Sequence, residues 1–197
     1  MMKCLVVTAH PLSESLCAFL SQRVVDVLTS AGHDVVVEDL YRRQFNPALT
    51  RNERQSYYSH DYDDSAIKDY TCQLVEAEAA VLVFPTWWFG FPAVLKGWFD
   101  RVWGPGIAYD HAHDFGPIKP RLNNLKRLMA ITTLGAPGWV DYVIMRRPLR
   151  RILKIAILRT CAPDCKFVMH SLYKSENLKT AAVHHFTQKI IKDIGKW

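Results

Sequence analysis

Residues Lys3 to Thr8 form a short run whose apolar side chains fall on both alternating faces. A strand with one wet face alternates apolar with polar residues, whereas one that is apolar on both faces has to be covered on both. Such a strand belongs in the middle of a parallel sheet, with helices above and below it. The rest of the chain keeps the same rhythm. Leu16, Leu20, Val24, Val27 and Leu28 recur at helical spacing between about Glu14 and Ser30, and Ala31-Gly32 ends that helix. Further strands are predicted at His33–Glu38, Ala79–Phe84, Lys126–Thr133 and Lys166–Leu172. Helices are predicted at Ser65–Glu76, Pro92–Trp103, Val140–Arg159 and Glu176–Lys192, proline being well placed in a first turn. The polar stretch Asp39–Asp64, with Pro47 and several aromatic residues, reads as an ordered excursion over the sheet edge. No repeat or flexible linker divides residues 1–197, so one domain is expected. Alternating βαβ units predict an α/β fold: a doubly wound five-stranded parallel sheet of order 2-1-3-4-5 in a three-layer sandwich.

Composition narrows the function classes. With 49% apolar and 22% charged residues among 197, the chain is an ordinary globular one, and no window approaches eighteen consecutive apolar residues. The N-terminal apolar run is too short for a signal peptide, so a cytoplasmic location is expected. Five scattered cysteines, an odd number, read as reduced. The histidine clusters His111-x-His113 and His184-His185 lack the spacing and carboxylate companions of a metal site, so no metal is expected. The net charge of +6 is concentrated in Arg146, Arg147, Arg150, Arg151, Lys154 and Arg159. One basic helix needs only a local explanation, and nucleic acid is not expected as a partner. Three readings fit it: a solvated face, a site for the 2′-phosphate of NADPH, or contact with an anionic membrane surface.

Ligands of doubly wound sheets bind outside the carboxyl ends of the strands, at the switch point between strands one and three. Three loops therefore matter. The first, His10 to Cys17, runs from strand one into helix one; Ser13 and Ser15 can cap the helix, and its free N–H groups suit an anion. It contains no G-x-G-x-x-G and no P-loop, so the same residues fit either a flavin phosphate or an ordinary capped helix. The second, Pro85 to Phe91, is the strongest feature. Four tryptophans and three phenylalanines lie between Trp87 and Trp103. Trp98, Phe99 and Val102 are at helical spacing and read as core or interface. Trp87, Trp88 and Phe89 are consecutive in a loop, cannot all enter one core, and fit a flat wall for a fused ring. The third loop, Thr132 to Tyr142, has glycines that let a backbone approach a planar ligand.

The run Trp88-Phe89-Gly90-Phe91-Pro92-Ala93-Val94-Leu95-Lys96-Gly97-Trp98-Phe99-Asp100-Arg101-Val102 resembles the signature of the NAD(P)H dehydrogenase (quinone) family, the DT-diaphorase-like flavoproteins of flavodoxin-like fold. Ala9-His10, Asp39-Leu40-Tyr41, Phe45-Asn46-Pro47, Ala108-Tyr109, Gly116-Pro117 and Ile131-Thr132-Thr133 match in order, so the resemblance covers about residues 3 to 135. It implies that His10, Ser15, Leu16 and Cys17 contact the flavin phosphate and ribityl chain. Pro85, Thr86, Trp87, Trp88 and Phe89 would cradle the ring, with Trp88 and Phe89 in the catalytic pocket, and Thr132, Thr133 and Gly135 would line its far side. It also implies a homodimer in which Tyr109 and His111 reach the partner's active site, with the apolar stripe of the Phe91–Trp103 helix as a dimer face.

The chain departs from the pattern in three places: Cys17 stands where an asparagine is common, Leu134-Gly135 replaces a Gly-Gly pair, and the Tyr-His relay after that turn has no counterpart. Tyr142 or Trp139 is the candidate for part of that role. The expected activity is a ping-pong two-electron reduction: NAD(P)H reduces a flavin, read as FAD with FMN as the alternative, which then reduces a quinone or similar planar acceptor. The rival reading is a flavin-binding ancillary subunit of a membrane transporter, docked through the basic helix Arg146–Arg159.

Overall fold

The computed structural model describes residues 1–59, 61–112 and 116–197. Strand β1 (Lys3–Thr8) leads into helix α1 (Leu16–Ser30), then β2 (Asp34–Asp39), α2 (Arg51–Ser56), α3 (Lys68–Glu76), β3 (Ala79–Pro85) and α4 (Ala93–Val102). A two-stranded antiparallel ribbon follows, β4 (Tyr109–Asp110) with β5 (Lys119–Pro120). Strand β6 (Arg127–Leu134), a helical region ending in α5 (Pro148–Arg151) and α6 (Arg159–Cys161), β7 (Lys166–Tyr173) and α7 (Thr180–Ile194) complete the chain. The main sheet is parallel with order β2-β1-β3-β6-β7, the predicted order once the ribbon is set aside.

The three inner strands, β1, β3 and β6, are buried on both faces, while the edge strands β2 and β7 are partly exposed. Leu5, Val7, Ala80, Leu82, Phe84, Leu128 and Ala130 enter one apolar cluster, with Leu74 of α3, Leu95, Trp98 and Val102 of α4, and Leu149, Leu153 and Leu158. Their sequence neighbours Cys4, Val6, Val81, Val83, Met129 and Ile131 enter the other, with Leu20, Val24 and Leu28 of α1 and Phe186 and Ile190 of α7. This is the two-sided burial required by the apolar runs, and each fully buried Leu, Val or Phe contributes about 1.5–3 kcal/mol. The side chains of Trp98, Phe99 and Val102 are buried in this chain's own core.

The excursion is ordered as expected. Phe45 enters the core, Thr50 and Glu53 form a capping box on α2, and Glu53 pairs with Arg101 of α4 at 2.6 Å with both side chains buried. Arg101 also donates to the Asn46 carbonyl and Tyr62 donates its O–H to the Arg101 carbonyl at 3.0 Å, which ties the excursion to α4.

Several helix boundaries differ from expectation, beginning with Ser65–Ile67, which is a 3-10 turn ahead of α3. Pro92 is the N-cap of α4, not its first helical residue. The last helix starts at Thr180; Ser175–Asn177 makes a separate 3-10 turn behind Lys174, whose φ is 55°. The predicted helix Val140–Arg159 is broken. A π-helical turn spans Val140–Ile144, Arg146 and Arg147 take φ of 55° and 53°, and a second helical segment runs from Pro148 as α5, a π-helical stretch Ile152–Leu158 and α6. Pro148 explains the break: proline donates no N–H, and its ring pushes the preceding residue out of the right-handed helical region. The six basic residues therefore do not share one helix face. No helix among the described residues is long and apolar enough to cross a membrane.

Candidate active site at the carboxyl edge of the sheet

Strands β1 and β3 are neighbours, yet their following helices leave to opposite faces, α1 into one apolar cluster and α4 into the other. That divergence opens a crevice over their carboxyl ends. On one side lies the start of α1. Ser15 is its N-cap, accepting from the Ala18 N–H at 3.2 Å, while Ser13 donates to Glu14 and takes no part in the cap. Among the described residues, the Leu16 and Cys17 N–H groups have no acceptor. Two unpaired donors at the positive end of a fifteen-residue helix suit a phosphate. His10 accepts the Leu12 N–H on Nδ1 at 3.1 Å, which fixes the loop ahead of the cap. The Cys17 thiol is buried 3.8 Å from the Thr133 hydroxyl, and burial pushes its pKa up to about 11, so it stays a thiol.

Facing this is the aromatic loop. Thr86 donates both its N–H and its hydroxyl to the Thr133 carbonyl, at 2.9 and 3.2 Å, and so extends the β3–β6 pairing past Pro85. Trp87 and Gly90 then exchange two backbone hydrogen bonds, 2.8 and 3.2 Å, across a two-residue turn whose corners, Trp88 and Phe89, have φ of 51° and 58°. This is a type I′ turn built without glycine or asparagine at its corners, and each such left-handed residue costs about 1–3 kcal/mol. Strain of this kind is stored where a side chain is wanted in a fixed place. Trp88 is 96% exposed, Trp87 63% exposed and Phe89 half-buried, so the turn holds a standing aromatic wall outside the core.

The third side is β6 and the loop after it. Thr132 is fully buried with its hydroxyl unpartnered, and Gly135 is exposed beside Glu176. Beyond them, Asp141, Arg147 and Arg150 line a small cleft with Thr86, Phe89 and Ser171. The Ser171 hydroxyl and the Arg147 Nε are buried there without partners. Orphaned buried donors and hydroxyls, unpaired helix N–H groups and an exposed ring wall together fit a bound flavin: phosphate at α1, ring against the turn. Among the described residues, no group of three or more His, Cys, Asp or Glu could hold a metal ion. His184 and His185 are exposed on α7, and His113 lies outside the described residues.

A family model for the flavodoxin-like fold matches residues 2–161. The chain belongs to the flavodoxin-like fold family. It is 37% identical over 180 residues to NAD(P)H dehydrogenase [quinone] 1 of Rattus norvegicus, covering 81% of this chain and 64% of that one. It is 38% identical over 110 residues to the uncharacterized NAD(P)H oxidoreductase YcaK of Escherichia coli (strain K12), covering 55% of this chain and 56% of that one. The chain thus spans less than two thirds of the length of these curated relatives. Among solved structures, Smu.1420 from Streptococcus mutans UA159 superposes with a TM-score of 0.85 at 26% identity over the full length of both chains.

Within this flavodoxin-like frame, the predicted residues fall in three places. His10, Ser15, Leu16, Cys17, Pro85, Thr86, Trp87, Trp88, Phe89, Thr132, Thr133 and Gly135 all lie on the loops, the strand ends or the first turn of α1 at the carboxyl edge. Tyr109 and His111 stand in a second cluster on and beside the ribbon: Tyr109 shares a 2.9 Å hydroxyl contact with Tyr57, and His111 Nε2 is 3.1 Å from the Tyr57 carbonyl. Tyr142 is 53% exposed, with the Arg147 guanidinium stacked 4.4 Å from its ring centre, and it has no hydrogen-bonded partner among the described residues. From the sequence Arg147 stood only in the basic stretch, as a possible phosphate contact, and Asp141, Ser171 and Tyr173 were not singled out. Tyr173 donates to buried Asp141 at 2.7 Å, and burial with that bond holds its phenol well above the ordinary tyrosine range. The Arg-Pro pair at 147–148 was the available signal, since a residue before proline leaves the helix; Ser171 and Tyr173 had none beyond the end of a predicted strand.

Proposed function

We propose that this protein is a flavin-dependent NAD(P)H oxidoreductase that reduces quinones or similar planar acceptors, working as a homodimer. One observation carries the reading: a strained turn holds Trp88 exposed and Phe89 half-buried, as a wall across a crevice from the unpaired N–H groups of α1. A core does not need that wall, and a flat ring with a phosphate tail fits both ends of the crevice. A flavin held there would supply the redox chemistry of hydride transfer between NAD(P)H and the acceptor. The chain's own part is binding and orientation. The Leu16 and Cys17 N–H groups hold the phosphate, Trp88 and Phe89 back the ring, and Thr86, Thr133 and Gly135 let the backbone come close to it. Nicotinamide and acceptor take the same open slot in turn, which makes the kinetics ping-pong. Tyr109 and His111 reach the slot of the partner subunit, and the apolar groove of about 230 Å³ between α4 and the π-helical stretch, lined by Phe91, Phe99, Tyr109 and Ile152, is part of the subunit contact.

The test is the visible spectrum of the purified protein, taken before and after anaerobic NADPH and again after menadione. Flavin bands that bleach and return support the reading, and the released cofactor tells FAD from FMN. A colourless protein that takes up neither flavin overturns it.

A further inference from the structure

Arg147 is a costly residue where it stands. Its backbone is left-handed, with φ 53° and ψ 60°, directly after Arg146 with φ 55°. Glycine or asparagine would take that conformation at less cost, and arginine adds only a long cationic side chain. That side chain pairs with no carboxylate. Asp141 lines the same cleft but receives the Tyr173 O–H at 2.7 Å, and among the described residues no ion pair to Arg147 exists. Instead the guanidinium is stacked on Tyr142, 4.4 Å from the ring centre, and its Nε is buried with no acceptor. A buried donor left unsatisfied costs about 1–3 kcal/mol. The cleft it lines includes Phe89 of the aromatic turn, Thr86 just ahead of that turn, and Ser171. A strained backbone and, among the described residues, an unpaired cation with an orphaned N–H converge beside the turn against which a flavin ring would lie.

The geometry points to Arg147 as the fixed cation that faces the N1–C2=O edge of the flavin ring and stabilises its reduced form, with Tyr142 as the platform that positions the guanidinium. This rests on the flavin reading above. The charge balance makes the demand explicit. When hydride leaves NAD(P)H, its C4–H bond breaks, NAD(P)⁺ is formed, and an N5–H bond is made with both electrons. Two electrons and one proton have then entered a neutral ring, which carries one negative charge on its N1–C2=O side. A preorganised donor and positive charge at that edge favour this state more than the oxidised one, so the interaction grows as reduction proceeds. The reading also gives Tyr142 a role its geometry fits, since its ring stacks under Arg147 and its hydroxyl makes no hydrogen bond among the described residues.

Sulfite tests this without turnover, because it adds at N5 of oxidised flavin and leaves the same negative charge on the N1–C2=O side. With the flavin-loaded protein, wild type binds sulfite and Arg147→Gln weakens that binding about tenfold or more. The two-electron midpoint potential falls in step, by about 30 mV for each tenfold. Tyr142→Ala weakens sulfite binding in the same direction and Tyr142→Phe restores it, while Arg151→Gln, at an exposed position, stays within threefold of wild type. An Arg147→Gln protein that holds flavin with unchanged sulfite affinity and potential overturns the proposal and leaves Arg147 a turn residue. Should Arg147→Gln fail to fold, Arg147→Gly removes the same charge while relaxing the left-handed backbone, and its sulfite affinity decides the matter by the same criterion. A wild-type protein that binds no flavin overturns the functional reading itself, before any Arg147 variant is compared.

Discussion

The Glu38 carboxyl is fully buried against the Trp98 indole, which donates to its Oε2 at 3.0 Å, while Oε1 has no partner. Burial raises its pKa from 4.5 to about 7, outweighing the indole bond and the more distant charge of Arg43. The folded protein therefore keeps this proton to higher pH than the unfolded chain does. Between those two values it binds more protons than the unfolded state, so stability falls as pH rises from about 4.5 through about 7 and levels off above. Glu38→Gln removes the titration. Between pH 5 and pH 8 its stability relative to wild type should improve by on the order of 2–3 kcal/mol, read from urea midpoints at the two pH values. Equal midpoint differences at both pH values would show that Glu38 is ionised throughout. The aromatic turn makes a prediction of opposite character. Trp88→Asn puts a residue that tolerates left-handed backbone at a position that buries nothing, so stability should rise by about 1 kcal/mol. Flavin affinity, followed by quenching of flavin fluorescence, should drop in the same variant. A variant that loses both, or neither, would break the link between the strain and the wall.

Helix α4 connects the core to the site, and its packing is tight enough to predict from one atom. A Cβ on Gly97 would overlap the Pro47 carbonyl oxygen and Cα, which are backbone atoms of the excursion and cannot swing aside. In a free helix, Gly97→Ala would gain up to about 1 kcal/mol; here overpacking should reverse the sign and cost about 1–3 kcal/mol in chemical denaturation. A second contact of the same helix carries charge. Arg101→Met leaves Glu53 buried without its guanidinium partner, and should cost about 3–5 kcal/mol, whereas replacing both partners with apolar residues costs much less. These elements show what the sequence made legible. The five sheet strands lay within a residue of where their apolar runs put them: burial on both faces marks β1, β3 and β6, and the partly exposed edge strands β2 and β7 keep apolar runs of their own. The two sides of the crevice, at α1 and at the turn Trp87–Gly90, were legible for the same reason: they follow strands directly. The third side was not. Leu149, Leu153 and Leu158 kept a helical rhythm across residues 140–159, and that rhythm hid the stop that Pro148 imposes on Arg147. The type I′ turn was hidden too, since its corner residues are a tryptophan and a phenylalanine, where turn chemistry would have led one to look for asparagine and glycine.

At the scale of the molecule, two sets of exposed apolar side chains bear on assembly. Trp87, Trp88, Trp139, Tyr142, Val143 and Ile144 are exposed on loops that follow the carboxyl ends of β3 and β6, and Ile152 and Ile155 are exposed on the segment that lines the apolar groove against α4. Soluble monomers seldom leave contiguous apolar surface of more than a few hundred Å² open to water. A twofold partner covering the groove would remove much of this surface, and Tyr109 lies in the groove lining, so the residue proposed to reach across is at the contact itself. The solution mass should then be twice the 22.7 kDa of one chain. Ile152→Asp, which puts an unpaired charge into the groove, should give a monomer by light scattering, because desolvating that carboxylate costs more than one apolar contact returns. If Tyr109 and His111 complete the partner's slot, the monomer keeps its flavin spectrum, since every residue proposed to hold the cofactor belongs to its own chain, while quinone reduction falls at least tenfold. A monomeric variant with full turnover would mean that each subunit's slot is complete without the other, and the hydroxyl pair of Tyr57 and Tyr109 would then be read as a strut of the ribbon.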